Sequence, residues 1–233
     1  MSKLAKVSLV ISCVIMYGCS GRYSMIDPAG PAAQSVATLW WWMLAGTAVI
    51  VAAVCGLWWF AIRKTSKNYT WEETRHVLKV CVFAGGIGLP TLAIVLLLFF
   101  GIPTGHTMLP WPGDNALRID VHAKQWEWQV NYPDYSRSLT NKIVIPVGRP
   151  INVHVTSEDV IHGFWVPRLG GKIDAIPGRT NIIRIQADKP GEYGGQCAEY
   201  CGQSHAFMRF NVYAVTDHEF NAWLSKQGNN YEQ

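Results

Sequence analysis

Apolar residues are grouped unevenly along the chain. Val7 to Tyr17 is a short apolar run behind Lys3 and Lys6, whereas Val36 to Ile62 and Val80 to Ile102 are longer and carry no charge. A helix needs about 20 apolar residues to cross a bilayer, so the two longer runs suffice and the first does not. They predict a transmembrane helix hairpin over residues 36–102, with spans at about 36–62 and 80–102. Trp40-Trp41-Trp42 and Trp58-Trp59 stand near the ends of the first span, where indole rings favour the headgroup layer. Gly85, Gly86, Gly88 and Pro90 predict a kink or close helix packing in the second.

From Pro103 the period changes. Pro103, Gly105, Pro110, Pro112 and Gly113 read as a connector. Alternating runs follow at Ala116–His122, Trp126–Tyr132, Lys142–Val147, Ile151–Val155, Thr180–Gln186 and Met208–Val215. Short strands at this spacing predict an antiparallel sandwich or barrel for residues 103–233. Asp217 to Lys226 reads as a short helix capped by Thr216 or Asp217.

Charge orients these parts. The formal net charge is +4, yet residues 1–113 hold eight Lys and Arg against three Asp and Glu, and residues 114–233 hold twelve against thirteen. A folded domain without basic excess argues against nucleic-acid binding. Arg63, Lys64, Lys67, Arg75 and Lys79 lie between the spans, which places that loop in the cytoplasm and residues 103–233 on the periplasmic side of a bacterial inner membrane. Residues 1–18 fit a signal peptide, which agrees with this topology. Gly18-Cys19 suggests a lipoprotein-type cleavage site with Cys19 lipidated; the alternative is an ordinary h-region cysteine.

Of six cysteines, four lie in or beside apolar stretches, so no disulfide framework is indicated. Cys197 and Cys201 differ. They open Cys197-Ala-Glu-Tyr-Cys201-Gly-Gln-Ser-His205-Ala-Phe-Met208, which gathers two thiols, an imidazole and a thioether. Soft sulfur donors with imidazole select copper over hard cations, and two thiolates can bridge two copper ions. Each ion then needs an imidazole, and this loop offers only His205; His162 is the best candidate for the second. Other readings exist for each part: a local disulfide for the cysteine pair, a Cys-Cys-His zinc site that would leave Met208 idle, a strand-end histidine for His162.

Cys197-x-Glu199-x-Cys201-Gly-x-x-His205-x-x-Met208 closely resembles the CuA signature of cytochrome c oxidase subunit II. The resemblance extends to Asp159-Val-Ile-His162, Lys172–Arg179, Pro190–Gln196 and Gln125-Trp126-x-Trp128, and covers the chain from about residue 36 to its end. It implies two transmembrane helices followed by an all-β, cupredoxin-like Greek-key barrel holding a dinuclear copper centre. His162, Cys197, Cys201, His205 and Met208 would ligate copper through side chains and Glu199 through its backbone carbonyl. The Glu199 side chain would reach a magnesium ion at the interface with subunit I. Partner subunits I and III, haem a and a further copper in subunit I, cytochrome c as donor and proton translocation are also implied. Trp126 would be where electrons enter, with Trp128 packing the barrel.

The implied activity is transfer of electrons from cytochrome c to haem for reduction of oxygen to water. Glu127, Asp134, Glu158, Asp159 and Asp174 could form an acidic docking face for a basic cytochrome. Asp159 or nearby backbone is a candidate to orient His162. The family's acid for proton uptake at the second span is not placed; Glu72 and Glu73 are the only candidates. The chain has no Cys-x-x-Cys-His, so the resemblance implies a separate cytochrome donor. Rival readings are a copper-free quinol-oxidase-type structural subunit, a membrane-tethered copper carrier or chaperone, and the copper domain of nitrous-oxide reductase. The thiol pair argues against the first, the two spans and the Lys172–Arg179 loop against the second, and the lack of a large second domain against the third.

Overall fold

The computed structural model describes residues 19–64, 70–106, 108–111 and 115–225. The expected signal segment, residues 1–18, and Lys226 lie outside them. Contacts divide the chain into a helical unit, Thr38–His106, and a β-rich unit that joins Thr107–Gln233 to the chain up to Ala37.

Helix α1 spans Pro31–Arg63. Helix α2, Trp71–Val80, continues through a π-helical stretch, Cys81–Gly88, into α3, Leu89–His106. Both continuous helices are long and apolar enough to cross a membrane. Wide turns occur where Pro90 follows: a proline has no N–H to give to the residue four back and crowds that carbonyl, and the ladder slips so that Leu89 N–H donates to Ala84 O. The helix also runs through Pro103 to His106, past the connector boundary expected at 103. At the other end Thr70 caps α2, and the Glu73 carboxylate returns to the Thr70 N–H at 2.9 Å. Of the two acids considered for proton uptake, Glu73 is thus occupied by a capping box.

The β-rich unit contains two five-stranded sheets. Its strands are β1 Leu117–Lys124, β2 Glu127–Tyr132, β3 Arg137–Thr140, β4 Lys142–Pro146, β5 Ile151–Ser157, β6 His162–Trp165, β7 Lys172–Ala175, β8 Asn181–Ile185, β9 Gly191–Cys197 and β10 Arg209–Val215. One sheet has the order β3-β2-β1-β5-β8 and the other β4-β10-β9-β6-β7. The expected purely antiparallel pairing is corrected: β1 pairs with β5, and β4 with β10, in parallel. Neither pair is a hairpin. Each is reached by chain that crosses to the opposite sheet, and the crossing makes the pairing parallel.

Alternation drives this assembly. β1 buries Leu117, Ile119, Val121 and Ala123, and β5 buries Ile151, Val153 and Val155. Trp128 from the first sheet meets Phe164 and Phe210 from the second at ring distances of 5.8 and 5.3 Å, so the aromatic centre of the core spans both layers. A short helix, α4 Asp217–Ser225, buries Phe220 and Trp223, and Thr216 caps it with Glu219.

A buried polar tie joins the sheets. The buried Tyr132 hydroxyl of β2 donates to Val144 O at 2.9 Å and accepts from Val144 N–H at 2.7 Å in β4. Tyr132→Phe should strand both backbone groups and lower unfolding free energy by about 2 kcal/mol, read by denaturant titration of tryptophan fluorescence. An unchanged midpoint would contradict that assignment.

Candidate metal centre

The second sheet brings the soft donors together. His162 opens β6, Cys197 closes β9, and Met208 immediately precedes β10. β6 pairs with β9 at Phe164↔Cys197, so the histidine and the first cysteine lie on neighbouring strand ends. Between β9 and β10 the chain makes a compact loop. His205 N–H donates to Gly202 O at 3.1 Å, Met208 N–H to His205 O at 3.2 Å, and Cys197 N–H to Met208 O at 2.9 Å. Ala198 N–H donates to Gly163 O at 2.8 Å and ties this loop to β6.

His162, Cys197, Cys201 and Met208 are each at most 6% exposed. The two sulfurs stand 3.7 Å apart and both thiols are free. A disulfide bond is about 2.05 Å long, so the expected alternative of a local disulfide is not what the structure has. That spacing would let both sulfurs hold one metal ion. The other donors converge on the same space. His162 Nδ1 lies 3.9 Å from Cys197 Sγ and 3.1 Å from Met208 Sδ. His205 Nδ1 lies 3.6 Å and Met208 Sδ 3.7 Å from Cys201 Sγ. The Glu199 carbonyl oxygen is 3.2 Å from Cys197 Sγ. All six residues singled out for a metal thus gather at one place, and among the described residues His162, Cys197 and Cys201 form a metal-capable cluster.

Charge at the site is arranged around His162. Its Nε2 lies 2.8 Å from Asp159 Oδ1, which leaves Nδ1 turned toward the sulfurs. Burial alone would raise the Asp159 carboxyl; the His162 ring and the N–H groups of Gln125 and Val160 outweigh it and bring it to about 2. Asp159 is thus engaged with the His162 ring. Glu127, another of the acids considered for docking, is held by Lys124 at 3.0 Å. Burial, followed by the neighbouring Cys197, pushes the Cys201 thiol up to about 12. Without a cation Cys201 is therefore a protonated thiol at neutral pH.

Three residues that sequence reasoning did not assign to the site, Gln125, Gly202 and Gly163, brace it. Gln125 uses its backbone N–H to reach Asp159 Oδ2 and its side-chain amide to reach Cys201 O, both at 2.8 Å. Gly202, at φ +120°, lies under the Trp126 ring; a Cβ there would sit 3.3 Å from the indole. Trp126 is 38% exposed above this loop, whereas Trp128 is wholly buried, with its ring 6.1 Å from that of His162. Gly163 faces the backbone of Ala198 and Glu199, with room for no side chain: a Cβ would meet backbone atoms at 2.9 and 3.0 Å. The only sequence signal for Gln125 was its place in Gln125-Trp126-x-Trp128, and Gly163 had none beyond adjacency to His162. The Glu199 carboxylate pairs with Lys172 at 3.1 Å.

A two-sheet domain carrying buried soft donors on one sheet, joined to two membrane-length apolar helices, defines a membrane-anchored, cupredoxin-like protein. Comparison with known proteins gives the family. A family model for cytochrome c oxidase subunit II, periplasmic domain, matches residues 136–215. Cytochrome c oxidase subunit 2 of Alkalihalophilus pseudofirmus is 33% identical across 91% of this chain and 64% of its own length. Ubiquinol oxidase subunit 2 of Acetobacter aceti is 30% identical across 100% of this chain and 78% of its own length. The crystal structure of the periplasmic domain of cytochrome oxidase subunit II of Bradyrhizobium japonicum is 40% identical, covering 48% of this chain and 93% of that domain at a TM-score of 0.46. The chain belongs to the oxidase subunit II family, which includes subunits of cytochrome c oxidases and of ubiquinol oxidases. It is a membrane-anchored protein with a periplasmic C-terminal domain.

Two measurements probe the cluster. Metal bound as thiolate must displace the Cys201 proton, so uptake at pH 7 should release about one proton or more per chain and affinity should rise with pH through the neutral range. Calorimetry in buffers of different ionisation enthalpy reads this, and a buffer-independent heat would contradict it. Gly163→Ala should push the Ala198–Glu199 backbone away and weaken metal retention about 10-fold, measured by competition with a chelator.

Proposed function

We propose that this chain is the subunit of a cytochrome c oxidase through which electrons enter, using a dinuclear copper centre held by His162, Cys197, Glu199, Cys201, His205 and Met208. The observation that carries this reading is the pair of unbonded, buried sulfurs 3.7 Å apart with imidazole nitrogens on either side. Hard cations have little use for such a set, and a zinc site would not need the thioether. When bound, copper would supply reversible one-electron storage. The protein's own residues fix the donors before any metal arrives. Asp159 sets the His162 ring, the Gly163–Ala198 hydrogen bond sets the loop, and the Trp128, Phe164 and Phe210 rings behind His162 keep water out.

The donor reading rests on the same set. The family includes a ubiquinol oxidase relative, so family membership alone leaves open a quinol-type subunit without copper. The complete set of soft side chains favours cytochrome c as the electron source. Trp126, half-exposed above Gly202, is the proposed point of electron uptake. Electrons would continue to haem a in subunit I, where a further copper and oxygen reduction belong, with subunit III as a further partner. Magnesium at that interface would have to exchange Lys172 for the Glu199 carboxylate; an exposed pair of this kind is worth little and exchanges cheaply. For proton uptake, Glu72 is the better of the two candidates because Glu73 closes the α2 cap. Residues 1–18 are proposed as a signal peptide, with Cys19 as a lipid attachment point.

The full chain produced with copper should carry two copper ions, appear purple and show electron-paramagnetic hyperfine structure shared equally between them. A blue one-copper spectrum, or zinc alone, would refute the reading. Trp126→Phe should slow reduction by cytochrome c by about 10-fold, equivalent to about 1.4 kcal/mol of barrier, with the copper spectrum unchanged. Reduction at the original rate would remove Trp126 from this role.

A further inference from the structure

The segment ahead of α1 is unexpectedly specific in its contacts. Residues Arg22–Gly30 lie along the β-rich unit and are attached at several points. Arg22 pairs with Glu192 and donates to Asn211 Oδ1 at 2.9 Å. Its carbonyl accepts from Gly194 N–H at 3.2 Å. Tyr23 sits over Gly194, and the Arg209 guanidinium lies 5.9 Å from the Tyr23 ring. Further along, Arg168 reaches both the Asp27 carboxylate at 2.9 Å and its carbonyl at 2.7 Å. Ala29 N–H donates to Arg168 O, and Ala29 O accepts from Asp188 N–H, each at 2.8 Å.

Two of these contacts fall on the strands that flank the copper loop. Gly194 lies three residues before Cys197 on β9, and Arg209 follows Met208 on β10. In the ladder Asn211 faces Gly194 and Arg209 faces Gln196. Glycine inside a strand forgoes packing and costs backbone entropy, which calls for a reason at Gly194. Here the reason is steric: a Cβ would lie 2.4 Å from the Tyr23 ring. The tyrosine fills the place of the side chain that β9 lacks.

We infer that Arg22 and Tyr23 are positioning residues for the metal loop, clamping the outer face of the β9–β10 pair beside Cys197 and Met208. This rests on the copper reading only for its consequence at the metal; the clamp is a property of the chain itself. Neither residue touches a donor atom. They act by resisting separation of the two strands from whose ends the loop springs.

The test uses the full chain in detergent. Tyr23→Ala should raise amide hydrogen exchange in β9 and β10 of the metal-free protein about 10-fold or more, and should speed copper loss to a chelator by a similar factor. Tyr23→Phe should restore both. Gly194→Ala should copy Tyr23→Ala, because its methyl group evicts the ring. Combined with Tyr23→Ala it should add little, since the group it collides with is gone. Unchanged exchange in Tyr23→Ala, or penalties that simply add in the double variant, would overturn the inference. Failure of the parent chain to take up two coppers would instead count against the proposed function, and the exchange measurement would still decide the clamp.

Discussion

The structure turns on keeping two thiols apart while holding them close. Side chains four residues apart on a free loop would drift together and oxidise in the compartment outside the membrane. Here Cys197 ends a strand and Cys201 is bound through its carbonyl to Gln125, which fixes the sulfurs 3.7 Å apart. That separation is too long for a covalent bond and suits a shared ion. Burial then makes ionisation of Cys201 unfavourable unless positive charge arrives. The geometry of the cluster is one that could hold a cation.

Every donor comes from one sheet or from the loop it carries, and the other sheet acts from behind. β1 and β2 meet at the Gln125–Trp126 turn, which reaches over to touch Asp159, Cys201 and Gly202. Trp128, next on β2, fills the centre of the core against Phe164 and Phe210. One turn thus supplies an exposed indole, a hydrogen bond to the loop and another to Asp159, and the strand after it supplies a buried indole. Packing and chemistry are joined there, because the strand that fills the core also delivers the clamp on the metal loop.

Most of the helical unit, and the residues that gather at the candidate site, were legible in sequence. Charge-free runs longer than a bilayer's thickness need no tertiary context, and the predicted spans fall inside the observed helices. Strands with strict alternation, such as Ile151–Ser157, were found as well. Strands β3, β6, β7 and β9 were not. Gly191–Cys197 contains three glycines and carries no period-two pattern, because Gly194 and Gly195 yield their space to Tyr23 and Phe210. Parallel pairing was equally hidden, since it depends on which distant strand arrives alongside. Residues Arg22–Gly30 carry no periodic signal of their own, and their partners lie more than a hundred residues away. The donors were visible because several share one short segment; Gln125 and Gly163 were not, because their roles exist only after folding.

The surroundings of His162 forbid its ring to turn. One ring nitrogen is held by Asp159, the other points at sulfur, and the Trp128 ring stands beside it in a core with no exposed surface at this residue. Such an imidazole has nowhere to swing when the charge beside it changes by one electron. Under the proposed copper reading, a redox cycle at this position would move charge without moving the ring, because the ring's restraints are already in place in the folded chain.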